Sequence, residues 1–160
     1  MRNLFSLLIA PSLGIAILMA GFTAKAQTPD VPYWASLKFD EVRMRVGPGQ
    51  DFKIDWVYKR KGLPVKVVRL REGWRLLQDP DGTQGWVSES QLLLTRTAIV
   101  QGEGLAAMRA EPNASSALKW NAEVGVSGEL GSCEAGWCEF NVGGREGWVR
   151  ENRLWGVGAP

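Results

Sequence analysis

A tryptophan pair occurs twice in this chain, and no other feature constrains the fold as much. The first copy is Glu72-Gly73-Trp74 followed by Asp81-Gly82-Thr83-Gln84-Gly85-Trp86-Val87. The second is Ala135-Gly136-Trp137 followed by Gly143-Gly144-Arg145-Glu146-Gly147-Trp148-Val149. The paired tryptophans stand 12 positions apart in the first copy and 11 in the second. Met44-Arg45 and Met108-Arg109 lie upstream, each with a proline, Pro48 or Pro112, three residues past the arginine. Leu92 and Leu154 lie downstream, each six residues past the second tryptophan. Self-similarity with a period of about 60 residues predicts two modules of one design.

Each module reads as short strands between Gly/Pro turns. In the first, Glu41 to Val46 alternates, with Val42, Met44 and Val46 on one face, which predicts a half-buried strand. Gly47-Pro48-Gly49 stops it and opens a loop through Asp55. Trp56-Val57-Tyr58, Leu63 to Leu70, Trp74 to Gln78 and Thr83 to Ser88 follow as strands, with a charged turn at Lys59 to Gly62 and a tight turn at Asp79-Pro80-Asp81-Gly82. Glu89 to Leu92 is one helical turn, and Thr95 to Val100 is expected to close the module. In the second, Leu105 to Ala110, Ala122 to Leu130, Trp137 to Val142 and Glu146 to Val149 are the counterpart strands, with a helical turn at Asn152 to Leu154. No amphipathic helix of ten residues interrupts the pattern, so the expected class is all-β, built of small barrels.

The N-terminal segment resembles an export signal. Arg2 precedes a mostly apolar run from Leu4 to Phe22, and Ala24-Lys25-Ala26 fits a cleavage site. Residues 1–26 are therefore expected to be a signal peptide, and 27–35 a linker, then module 1 at 36–98, module 2 at 99–156 and a tail at 157–160. Export places the mature chain in the periplasm or outside the cell, without membrane insertion once the signal is cleaved. The alternative is an anchor formed by an uncleaved N-terminal helix, since 19 apolar-rich residues nearly span a bilayer. Residues 27–96 hold 12 Lys/Arg and 9 Asp/Glu, and residues 97–160 hold 5 and 8. Neither half is basic enough to argue for nucleic acid. The chain has no histidine, which removes the usual general base, metal ligand and pH switch.

The order Met44-Arg45-x-Gly47-Pro48, Gly62-Leu63-Pro64-Val65, Gly73-Trp74 and Asp81-Gly82-x-x-Gly85-Trp86-Val87 resembles the bacterial SH3-like (SH3b) domains of exported proteins. The match runs over about 36–98 and, more loosely, 101–156. The resemblance implies a five- or six-stranded half-open barrel in each module. It also implies a non-catalytic attachment module that binds peptidoglycan or its peptide cross-bridges. The second module departs from the pattern: Ala110-Glu111-Pro112 stands where the first has Val46-Gly47-Pro48, and Gly62-Leu63-Pro64 has no counterpart. Proline-peptide binding of the eukaryotic kind is not implied, because the aromatic opening motif of that groove is missing.

The candidate chemistry is that of binding. Trp56 and Tyr58 follow the long loop where this family forms a groove, and Lys59 and Arg60 stand beside them to meet a carboxylate. Trp86 completes the candidate ligand contacts, although a Gly-Trp step at a turn equally serves hairpin or core packing, as do Trp74, Trp137 and Trp148. Cys133 and Cys138 flank a predicted hairpin turn, which puts them within reach of a disulfide in an oxidising compartment. No catalytic residue, metal site or cofactor is assigned. Asp79 and Asp81 are accounted for by their turn. The expected partners are a cell-wall peptide or glycan, or an envelope protein, bound through a shallow aromatic groove. The alternatives are a protein that braces an envelope complex with no ligand of its own, and a small envelope hydrolase.

Overall fold

The computed structural model describes residues 29–160, so the expected signal peptide lies outside the described residues. Among the described residues there are fourteen short strands: β1 Tyr33–Leu37, β2 Val42–Arg45, β3 Ile54–Tyr58, β4 Pro64–Arg71, β5 Trp74–Gln78, β6 Gln84–Ser88, β7 Leu92–Leu93, β8 Thr97–Val100, β9 Ala106–Arg109, β10 Leu118–Ala122, β11 Ser127–Glu134, β12 Trp137–Val142, β13 Arg145–Arg150 and β14 Leu154–Trp155. They form two antiparallel sheets of identical order, β3-β2-β6-β5-β4-β1-β7 and β10-β9-β13-β12-β11-β8-β14. Each sheet curls into an SH3-like half-open barrel. Three-residue 3-10 turns, Glu89–Gln91 and Glu151–Arg153, precede β7 and β14.

The pairing explains the repeated residues. Arg45 stands opposite Trp86 on β6, and Arg109 opposite Trp148 on β13, so each Met-Arg step lies against a Gly-Trp-Val step. Met44 and Met108 are fully or almost fully buried. A Cβ on Gly85 would lie 2.4 Å from Met44 Cγ, and one on Gly147 would lie 3.0 Å from Met108 Cβ. The glycine before each second tryptophan is therefore the gap a core methionine fills. Each arginine clasps the loop that follows its strand: Arg45 Nη1 donates to the carbonyl of Phe52 and Arg109 Nη1 to that of Ser116. The glycine before each first tryptophan turns the hairpin, with Gly73 at φ 67° and Gly136 at φ 78°, a conformation glycine adopts at little cost.

The cores are mostly aliphatic, with Tyr58 in the first and Phe140 in the second. The first holds Leu37, Val42, Met44, Val65, Val67, Leu77 and Val87, and the second Val100, Met108, Phe140, Val149 and Leu154. Strand alternation turns Trp74 and Trp86 to the face away from the first core, where both are half-buried. Trp137 is buried, with the Arg150 guanidinium 4.3 Å from its ring centroid.

Several sequence expectations need correction. Tyr33–Leu37, which begins inside the segment read as a linker, is a full strand between β4 and β7. Thr97–Val100 does not close the first sheet; it pairs with β11 and β14 and opens the second, as β1 does the first. The long strand of module 2 starts at Ser127 rather than Ala122, because 118–122 is a separate strand, β10, hydrogen-bonded to β9. Val46 does not share the core face with Val42 and Met44. It is 57% exposed because β2 ends at Arg45, where the register with β3 shifts.

The disulfide forms as expected. Cys133 and Cys138 are cross-strand partners on β11 and β12 and are covalently joined.

Candidate functional site

The Lys59–Gly62 turn and the Asp79–Gly82 turn approach each other at one end of the first barrel, and a groove of about 660 Å³ lies between them. Trp56, Tyr58, Lys59, Arg60, Leu63, Asp79, Pro80, Asp81 and Thr83 line it from module 1, and Ile99 and Gly125 from module 2. The structure thus brings together Trp56, Tyr58, Lys59 and Arg60. Trp86 is not among the lining residues; it stands on β6, beyond β2, on the outer face of the sheet.

The four gathered residues have different surroundings. Trp56 is 60% exposed on β3, an edge strand that among the described residues pairs with β2 alone. Tyr58 is 6% exposed, and its hydroxyl donates to Asp79 Oδ2 at 3.0 Å. Burial, reinforced by the Asp79 charge, pushes the Tyr58 phenol well above its ordinary value. Asp79 Oδ1 accepts the backbone N–H groups of Asp81 and Thr83, so one buried carboxylate ties the tight turn to β3. Lys59 pairs with Glu41, which also accepts from Arg43. These partners, Lys59 first, hold the Glu41 carboxyl below the usual carboxylate range. Arg60 Nη1 donates to the carbonyl of Gly125 in the second module. Two of the expected ligand cations are therefore engaged within the chain, and Tyr58 is a structural hydroxyl.

The sequence reading assigned no role to Trp120. It stands opposite Met108 on β10 as Trp56 stands opposite Met44 on β3, and it is 42% exposed. The signal was present: both tryptophans lie 12 residues after the repeated methionine. The Arg145 guanidinium sits 5.3 Å from the Trp120 ring centroid. The other two tryptophans outside the repeated pair join the modules. Trp34 and Trp155 meet edge to face with centroids 4.8 Å apart, and Trp34 Nε1 donates to the carbonyl of Gly158.

Among the described residues, no group of three or more His, Cys, Asp or Glu is placed to hold a metal ion, and no helix is long and apolar enough to cross a membrane.

Two curled sheets of identical strand order, each with an aromatic edge strand, define a tandem SH3-like protein. The bacterial SH3 domain family model matches residues 38–93 and 102–156, and the chain belongs to that family. The family is one of binding domains, generally non-catalytic, found in exported, cell-wall-associated proteins. No curated protein matches the chain. Solved structures that resemble it include those of NlpC1 and NlpC2 from Trichomonas vaginalis. Each is 13% identical with a TM-score of 0.36; the likeness covers 81% and 80% of this chain and 47% and 49% of theirs. The chain thus spans about half the length of those proteins.

Proposed function

We propose that this is an exported, non-catalytic binding protein of the cell envelope that holds an extended cell-wall peptide along the first module's edge strand. Trp56 carries the reading: a large aromatic, mostly exposed, on a strand with a free hydrogen-bonding edge and beside a concave groove. A peptide laid along β3 pairs its backbone with that edge. It packs a side chain or a neighbouring sugar on Trp56, and reaches Pro80 and Leu63 in the groove. Lys59 is exposed and meets a ligand carboxylate by exchanging it for Glu41. Trp120, less exposed and flanked by Arg145, offers a secondary platform on β10.

Sedimentation with purified peptidoglycan sacculi tests this. The wild-type protein pellets with sacculi at low and moderate salt, and Trp56→Ala stays in the supernatant with an unchanged melting temperature. Undiminished retention of Trp56→Ala and of the Trp56→Ala/Trp120→Ala double variant would refute it, and turnover of a wall fragment would favour the hydrolase alternative.

The bracing alternative has its own support in the ties between modules, Arg60 to Gly125 and Trp34 to Trp155. It predicts capture of an envelope protein that is indifferent to Trp56.

A further inference from the structure

We infer that the Trp56 groove is a composite site: the second module supplies its far wall, and a ligand held there touches both modules. The inference rests on the reading of that groove as the binding site and adds what completes it. Trp56, Tyr58, Leu63 and Pro80 line the groove from module 1; Ile99 and Gly125 line it from module 2.

The wall follows from strand alternation on β8. Ala98 and Val100 are buried in the second core. Ile99, between them, faces the opposite way and packs half-buried against the first core, to which Tyr58 and Leu63 belong. Its cross-strand partners, Ser127 on β11 and Trp155 on β14, are both residues of module 2, so the second sheet sets its position. One isoleucine of the second module is therefore part of the apolar lining of a groove that opens on the first.

Gly125 is fixed to the same strand. Its N–H donates to the carbonyl of Val100, and the Val100 N–H donates to the carbonyl of Val126. These two bonds hold the 123–126 turn against β8, so Ile99 and the Gly125 carbonyl form one wall. That carbonyl accepts from Arg60 Nη1, which ties the wall to the basic turn of module 1. Arg60 is thus a positioning residue, and the Trp34–Trp155 contact secures the docking of the barrels elsewhere.

The consequence is for affinity. Module 1 by itself offers an open aromatic platform on an edge strand. With the second module docked, an apolar group of the ligand is covered from two sides by surfaces already in place. Burial in a pre-formed pocket is where a small interface gains most of its binding energy.

Amide-resolved NMR titration of the purified protein with muramidase-solubilised peptidoglycan fragments tests this. Saturable shifts should appear at Ile99, Gly125 and Val126 together with those at Trp56 and Tyr58, and Trp56→Ala should abolish both sets. Ile99→Ala, which removes the apolar wall, and Arg60→Met, an exposed change that removes only the tie, should each weaken binding about five-fold. The melting temperature of Arg60→Met should stay at the wild-type value, so that its loss of affinity reports on the groove and not on folding. Shifts confined to module 1, module 2 shifts that survive Trp56→Ala, or wild-type affinity in both variants would each overturn the composite site while the groove reading stands. No shift from any fragment would overturn both.

Discussion

Gly85→Ala is the sharpest test of how the repeated motif holds the barrel together. Gly85 is buried on β6, and the added methyl would lie 2.4 Å from Met44 Cγ, 2.6 Å from Sδ and 3.0 Å from Cε. All three atoms belong to one side chain with no solvent exposure, in the middle of the first core. Methionine is flexible, so the clash is relieved by a new rotamer. That rotamer has to displace neighbours in a close-packed interior, and such overpacking costs about 1–3 kcal/mol. A loss of about 2 kcal/mol corresponds to a fall of roughly 10 °C in the melting of a module this size. The assay is urea unfolding followed by tryptophan fluorescence. The decisive measurement is the cycle with Met44→Ala, which alone loses about 2–5 kcal/mol through the cavity it leaves. If the alanine methyl occupies space vacated by methionine, the double variant is more stable than the two single losses predict, by at least about 0.5 kcal/mol. A neutral Gly85→Ala, or strict additivity in the cycle, would refute the reasoning that the Gly-Trp-Val step exists to seat a core methionine.

Three further outcomes follow from two contacts, the Tyr58–Asp79 hydrogen bond and the Cys133–Cys138 bond. Tyr58→Phe leaves the buried Asp79 carboxylate without its phenol donor and should cost about 1–2 kcal/mol. The same pair gives a pH signature. The Tyr58 phenol is raised in the folded state from an ordinary value of 10.0, so its contribution is fully present below that pH and is lost as pH rises beyond it. Denaturation at pH 8 and pH 10.5 should therefore show a decline in the wild type that is smaller in Tyr58→Phe, and equal declines would count against the buried hydrogen bond. Replacing Cys133 and Cys138 by alanine should cost module 2 about 2 kcal/mol, since the bond closes a very short loop, and should leave the unfolding of module 1 unchanged; two titratable thiols in the unreduced wild type would contradict the disulfide.

Much of the fold was legible because its signals are local. Gly73, Gly136 and the Asp79–Gly82 turn declare reversals within a few residues, and the alternation of Val42 and Met44 declares a buried face. Thr95 to Val100 was legible as a strand but not as a strand of the second sheet. An apolar segment midway between two modules carries no mark of which neighbour it pairs with; that is decided by β11 and β14, which lie about 30 and 55 residues further on. Tyr33–Leu37 was obscured for the mirror reason, its partner β4 being 30 residues downstream. The candidate site divides the same way. The sequence placed Trp56, Tyr58, Lys59 and Arg60 in one neighbourhood, and the groove contains them. It did not distinguish the exposed ring from the buried one two residues away, and nothing local foretold that Arg60 would reach across to Gly125.

The sequence by itself determined that this protein is two copies of one small all-β module, because a repeat, its turns and its strand alternation are properties of neighbouring residues. Tertiary structure alone decided what the repeated tryptophans are for. Strand pairing put glycine against methionine and thereby turned Trp86 and Trp148 away from the cores. The partnership of Trp34 with Trp155 and the groove wall formed by Ile99 and Gly125 likewise exist only because two barrels pack together. Such contacts join residues tens of positions apart, and their geometry is fixed by the packing of whole sheets.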